Sequence, residues 1–582
     1  MRKLRDFIFF TLILAIFIAL FGVPIWRVTQ AAFLGLPVEN QTPQFTLGYF
    51  TAIFADPMLR AGLFNSVMIA LLTTVLCVLI AMPLAILANR YDFLGKSLFS
   101  GLVLVPLILP PFVGAIGMRQ LLGRNGAFTA ILQNVGWISP GEPFDWLHFR
   151  LLGIVLVQAL GLYPILYLNL TAALANIDPA MQHAAANLGA SRWTIFRRIT
   201  LPLMRPGLFA GGTLVLIWSF TELGTPLMFD FYITTPVQVY KKLGQVTANP
   251  IPYALVVLMM AGSILLYVCG KVLLGRSQDT AVSKASIQSA TTRLGFIKSI
   301  PVIVIFTLIA CLAMLPHVSV VLMSLCAPGT WYESALPKVF TRQHYLNALT
   351  HPLAVPSVRN SVMFASLSTI VDILLGLWIA AMIVRSKLPR IFRAALDSLA
   401  MLPLAVPGTV MAFGYLAVSL QIKAYLSSRN MPSLAGLFDV QNNPTLVLVV
   451  AYAMRRLPYV VRSAVAGLQQ TPEDLELASR NLGASPMLTL RRITVPLIAA
   501  NLIAGALLAF AFAMLEVSDS LILAQKEQYW PITKAIYELF QRIGDGPFIA
   551  SALGVWAMLI LTLTILSTNA LLGRKMGAIF RV

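Results

Sequence analysis

The string NLGASRWTIFRRITLPL, residues 187–203, returns as NLGASPMLTLRRITVPL, residues 481–497, and each copy lies in a polar gap between long apolar runs. The central glycines, Gly189 and Gly483, stand 294 residues apart. Around them Asn65-Ser-Val-Met reappears at Asn360, PLILPPFVGAIG (106–117) as PLAVPGTVMAFG (403–414), and Glu222 as Glu516, at offsets of 295, 297 and 294. One unit is therefore written twice, an internal symmetry common among transporters.

With 58% hydrophobic and 11% charged residues, the chain has too little polar surface to cover a water-soluble globule of 582 residues. An apolar helix needs about 20 residues to cross the hydrocarbon. Candidate spans are 7–26, 64–88, 98–118, 151–172, 206–224 and 252–273, then 299–323, 361–384, 394–419, 445–466, 500–523 and 549–572. The expected fold is an all-α integral membrane protein of about twelve transmembrane helices in two tandem six-helix repeats. The first repeat covers 1–275 and the second 299–582. Between them, 276–298 is poor in apolar residues and reads as a cytoplasmic linker. The N-terminal Met-Arg-Lys-Leu-Arg precedes a long apolar run with no A-x-A site, so it reads as an uncleaved first helix.

The net charge of +20 fits a positive-inside excess and not a nucleic-acid surface. More than half of the 42 Lys and Arg fall on segments that this rule makes cytoplasmic, including both repeated loops, 177–203 and 471–497, and the turn 385–393. Both termini are then cytoplasmic. The four cysteines, Cys77, Cys269, Cys311 and Cys326, form no CxxC pair, and the five histidines are scattered, so no metal site is expected.

Each repeated loop carries a short helical pattern, a glycine, a second amphipathic pattern and a proline, which together make a rigid helical knuckle. The loops resemble the EAA loops of binding-protein-dependent ABC importer permeases, whose pattern is roughly E-A-A-x-x-x-G followed by I-x-L-P. Gly189, Ile199, Leu201 and Pro202 match in the first copy, and Gly483, Ile493 and Pro496 in the second. His183 and Leu477 stand where the pattern has glutamate, Glu476 lies one place earlier, and Ser479 replaces one alanine.

The resemblance implies coupling loops built on Ala184, Ala185, Gly189, Ala190 and Pro202, and on Glu476, Ala478, Gly483, Ala484 and Pro496. It further implies two copies of an ABC ATPase seated on them and a soluble or lipid-anchored substrate-binding protein. The expected setting is the lipid of a bacterial cytoplasmic (inner) membrane. This chain would bind no cofactor and catalyse nothing, with ATP used by the partner ATPase. Leu94-Gly-Lys-Ser imitates the tail of a Walker A motif, but Arg90 stands at its first glycine and no βαβ context surrounds it.

Charges within the apolar runs face a cavity or a partner, because insertion at a helix centre costs about 2.5–3.5 kcal/mol each. Glu222 and Glu516 occupy equivalent places in the fifth span of each repeat, as residues of a shared translocation pathway or as interfacial groups. Asp372 and the pair Arg455-Arg456 lie at matching depths and suggest a buried ion pair, structural in role or part of transport. The stretch MRRLPYVVR (454–462) and the fused plan resemble the ferric-iron subgroup of these permeases first. Permeases for 2-aminoethylphosphonate, thiamine or polyamine are the alternatives. An ion-coupled secondary transporter is the reading from another class.

Overall fold

The computed structural model describes residues 2–35, 44–107, 109–139, 144–274, 291–331 and 334–572. Most of the expected linker, 276–290, lies outside them. Eight helices of the first repeat have counterparts in the second. The first set is α1 (Leu4–Leu34), α2 (Pro57–Arg90), α3 (Pro111–Leu122), α4 (Arg150–Ala175), α5 (Pro179–Asn187), α6 (Arg192–Phe220), α7 (Thr235–Lys241) and α8 (Ile251–Leu274). The second is α9 (Phe296–Leu325), α10 (Ala354–Arg385), α11 (Gly408–Ser428), α12 (Thr445–Gln470), α13 (Glu473–Asn481), α14 (Pro486–Met514), α15 (Ile532–Phe540) and α16 (Gly546–Leu572).

Among the described residues ten helices are long and apolar enough to cross a membrane, or up to eleven if the pair Lys96–Leu107 and Pro111–Asn134, bent by 92°, is one span. That bend interrupts the expected span 98–118. It falls at Pro110-Pro111, where two successive residues lack an N–H and the first is barred from the helical region. The expected span 445–466 is α12, whose 26 residues reach far enough but whose Arg455, Arg456 and Arg462 make it more polar than the rest. Its neighbours must compensate those charges.

The long helices show one lipid-type face and one packed face. On α9, Val304, Leu308, Leu312 and Leu315 are exposed while Phe306, Ala310, Ala313 and Val320 are buried, the spacing of two sides of one helix.

The helices gather into two compact units that do not follow the repeats. One comprises 1–60, 236–260 and 343–579, the other 61–235 and 261–342. Each unit therefore contains the first helix of the opposite repeat: α1 packs on α11, and α9 packs on α3. The repeated motif ending in Gly117 and Gly414 explains how. A Cβ on Gly117 would stand 1.8 Å from the carbonyl oxygen of Pro316 in α9, and one on Gly414 would stand 2.9 Å from Cβ of Pro24 in α1. Glycine is required at both places because the incoming helix lies directly against the backbone. Tyr415 adds a hydrogen bond to the Leu20 carbonyl at 2.8 Å.

The repeated Asn-Ser dipeptide also has a mechanical reason. Asn65 donates to the Ile233 carbonyl (2.9 Å) and Ser66 accepts from Thr235 N (2.9 Å), which fixes the start of α7. Asn360 donates to Gln528 O and Trp530 O (2.9 and 3.2 Å) and Ser361 accepts from Ile532 N (2.8 Å), which fixes the start of α15.

Three glycine-to-alanine changes should rank by what the new methyl meets. Gly117→Ala is expected to lower the melting midpoint of the purified protein most, with overpacking costs of about 1–3 kcal/mol, because a backbone oxygen cannot retreat. Gly414→Ala should cost less, and Gly212→Ala, with nothing within 4 Å, should be neutral or stabilising. An equal midpoint for all three would show that the helix exchange does not rest on these contacts.

Candidate functional site

The two loops fold into nearly identical knuckles. In the first, Asp178 accepts from Ala180 N (2.8 Å) to open α5, and Ser191 accepts from Thr194 N (3.2 Å) to open α6. Between them Gly189 takes φ +81°, with Gly189 N bonded to Ala186 O (2.9 Å) and Ala190 N to Ala185 O (3.0 Å). In the second, Gly483 takes φ +87°, with Gly483 N bonded to Arg480 O (3.0 Å) and Ala484 N to Ser479 O (3.2 Å). Both are Schellman caps, and their left-handed residue favours glycine. Leu188 N and Leu482 N close the last turn onto Ala184 O and Ala478 O, both at 3.1 Å.

Pro202 and Pro496 act just beyond. Leu201 N reaches back to Phe196 O, and Val495 N to Leu490 O, so one wide π turn precedes each proline, which has no N–H to continue the ladder. Each knuckle then runs without a break into a long apolar helix, α6 or α14.

The knuckles expose what a soluble loop would hide. Leu188 and Leu482 at the tips are each 89% exposed, followed by Trp193 at 68% and Met487 at 71%. The composition of the loops does not single out these equivalent side chains. Their exposure becomes visible only once the glycine cap turns them outward.

Glu476 faces the other way. It is buried and pairs with Nε of Arg385 at 3.1 Å, while Nη2 of Arg385 also donates to Leu468 O (3.0 Å) and Thr471 O (2.7 Å). The acid therefore ties the second knuckle to the ends of α10 and α12, whereas His183 and Leu477 are exposed. In the first copy Gln182 takes the place of Glu476 and lies 3.5 Å from the Thr200 hydroxyl. In the sequence Arg385 shows only its positive charge, with no sign of these partners.

The arginine pair inside α12 finds a different partner from the one its depth suggests. Arg455 Nη1 lies 2.8 Å from Glu516 Oε1 and 3.7 Å from Asp519, and Arg456 Nη2 bonds Glu516 Oε2. Asp372 is buried on α10, and neither of its carboxylate oxygens has a hydrogen-bond partner. The expected Asp372–arginine pair is thus corrected to a Glu516–Arg455–Arg456 cluster. The end of α14 lies beside α12, where one carboxylate can offer an oxygen to each guanidinium.

Gly408 makes room for this cluster: a Cβ there would stand 1.7 Å from Arg455 Nη1. In the first repeat the same contact is built with the bulk reversed, since Gly161 replaces Arg455 and a Cβ on it would stand 2.9 Å from Cγ of Pro111, the counterpart of Gly408. Leu162 stands in place of Arg456, so the first repeat has no arginine pair in this helix.

Glu222 and Glu516 belong to different compact units and have unlike surroundings. Glu222 is half-buried and accepts from Gly224 N (3.1 Å) and Thr225 N (3.2 Å) in its own turn. Glu516 is buried with its two arginines. Nearby, Lys534 on α15 donates to Leu521 O (3.2 Å), and burial pushes its ammonium down to about 8 while Glu538 opposes the shift. Among the described residues no three His, Cys, Asp or Glu side chains gather as metal ligands.

The family described as "Binding-protein-dependent transport system inner membrane component" matches residues 78–279 and again 372–577. The ferric transport system permease protein of Actinobacillus pleuropneumoniae is 26% identical over 561 residues, covering 94% of this chain and 76% of that one. The molybdenum transport system permease protein of Haemophilus influenzae is 36% identical over 169 residues, covering 28% of this chain and 71% of that one.

Removing one charge from each buried carboxylate should separate their roles. Glu516→Gln takes the carboxylate charge from Arg456 and leaves Arg455 the longer 3.7 Å contact to Asp519, and is expected to cost about 3–5 kcal/mol, read as a lower melting midpoint or yield. Asp372→Asn breaks no hydrogen bond and should leave the midpoint unchanged or raise it. The opposite ranking would return the arginines to Asp372.

Proposed function

The chain belongs to the family of binding-protein-dependent transport system inner membrane components, and from that premise we propose that its two knuckles are the surfaces on which ABC ATPase subunits dock. A member of this family is a transport component and not an enzyme, and membership removes the ion-driven carrier as a reading. The observation that supports docking is the repeated pair of exposed leucines, Leu188 and Leu482, held outward by rigid glycine caps and followed by Trp193 and Met487. Apolar side chains presented in this way on a polar loop mark a protein interface.

In this reading one ATPase sits on each knuckle, on the cytoplasmic side, and both termini lie on that side. ATP is hydrolysed by the partner, and this chain carries the resulting movement. Because α6 and α14 begin within the knuckles and run on through Pro202 and Pro496, a displaced knuckle moves a whole helix. At 1.5 Å per residue such a helix is roughly 44 Å long. Glu222, at the far end of α6, is the carboxylate this reading assigns to the solute path. Glu516 instead holds α12 against α14.

Ferric iron is the solute we assign first. The support is the alignment with a ferric permease along nearly the whole chain, against a molybdenum permease along less than a third of it. Delivery by a soluble or lipid-anchored binding protein completes the system.

The test combines two readouts. In Leu188→Glu with Leu482→Glu, copurification with the ATPase should fall at least tenfold, as the loss of two central apolar anchors predicts at about 2 kcal/mol or more each. ATP-dependent uptake should fall with it, and each single variant should be intermediate. Full uptake by the double variant at matched expression would refute docking at the knuckles. Uptake of molybdate but not ferric iron by the wild-type system would refute the solute and leave docking intact.

A further inference from the structure

Beside the second knuckle, where α10 ends and α1 begins, one compact unit holds an open cavity of about 360 Å³. That volume falls within the range of small-molecule sites. Its position is defined by Arg385, the last residue of α10, and by Arg5, in the first turn of α1. Both mark the level at which an apolar span gives way to polar surroundings.

The charges lining it do not balance. Arg5 lies 3.5 Å from Asp6, and Arg385 lies 3.1 Å from Glu476. Arg480 is the third guanidinium on the wall, and its Nε is buried without a hydrogen-bond partner. Three cations face two carboxylates, which leaves one positive charge and a buried donor unanswered. A buried donor left unpaired is destabilising, and a ligand oxygen that reached it would relieve that cost.

The rest of the wall is apolar. Phe9 of α1 and Trp378 of α10 meet edge to face at 5.9 Å, and both line the cavity. Tryptophan at such a level is characteristic of a membrane interface. The first repeat has Ala186 in place of Arg480 and Pro83 in place of Trp378, so this wall is not an automatic product of the repeat.

We propose that this cavity binds an anionic phospholipid. Its phosphodiester would accept from Arg480, with Arg5 and Arg385 supplying the surrounding positive potential, and its acyl chains would lie against Phe9 and Trp378. One phosphodiester charge matches the one unanswered guanidinium, and a zwitterionic headgroup would bring a second cation into a wall that already has a surplus. Because Glu476 and Met487 of the second knuckle share the cavity, the lipid braces that knuckle against α1 and α10.

The full chain is purified and reconstituted in discs of phosphatidylcholine alone, of phosphatidylcholine with phosphatidylglycerol, or of phosphatidylcholine with inorganic phosphate in the buffer. Retained lipid is counted by native mass spectrometry, and the melting midpoint is recorded. Wild type should retain phosphatidylglycerol preferentially and melt higher with it. Arg480→Gln should weaken that retention about five- to tenfold, and Arg5→Gln, at a partly exposed position, should weaken it less. Arg462→Gln, outside the cavity and paired with Asp397 at 3.4 Å, should have no effect. Equal retention by wild type, Arg480→Gln and Arg5→Gln would overturn the proposal. Equal protection by inorganic phosphate alone would overturn it too, by making the site one for a soluble anion.

Discussion

Close approach of helix backbones through glycine is the contact on which this architecture depends. Between apolar helices in lipid there is little hydrophobic force, so association rests on packing that small residues permit. Gly117 under Pro316 and Gly414 under Pro24 admit the first helix of the opposite repeat in each compact unit. Gly211 against Leu166 and Gly505 against Ser463 repeat the arrangement between α4 and α6 and between α12 and α14. These pairs recur because the repeat recurs, and each would collide with a methyl group.

Against that symmetric frame the charges are asymmetric. The second repeat concentrates Arg455, Arg456, Glu516, Asp519 and Asp372 in one compact unit, while the corresponding helix of the first repeat carries Gly161 and Leu162 in place of the arginines. The exchange of Gly161–Pro111 for Arg455–Gly408 keeps the space filled while changing its polarity. One half of the chain is thus held mainly by shape, and the other adds a buried ion cluster. Such a cluster ties α12 to the end of α14, because removal of either partner strands a charge.

The knuckles show the same mixture. Their caps are the same, but the second is tied down by Glu476 and Arg385 and adjoins the Arg480 cavity, whereas the first has a weaker Gln182–Thr200 contact. Two knuckles of equal shape are therefore anchored with unequal stiffness. If ATPase subunits dock on them as proposed, their movement would reach α6 and α14 through supports of different strength.

Much of this was legible in the residue order. Apolar runs of spanning length dictate helices, because every backbone group in lipid needs an internal partner. The paired glycines and prolines dictate the knuckles, because φ above zero and a missing N–H are local properties of those residues. The spacing of Asn65, Gly117 and Glu222 from their copies reveals the repeat from residue order alone. The partners of Arg455 and Arg456 were not legible, since depth along two helices says nothing about which faces meet. Nor was the exchange of α1 and α9 between repeats, which depends on contacts between residues hundreds of positions apart. Local chemistry sets what each segment becomes, while the choice among several carboxylates at similar depth belongs to the packing of whole helices.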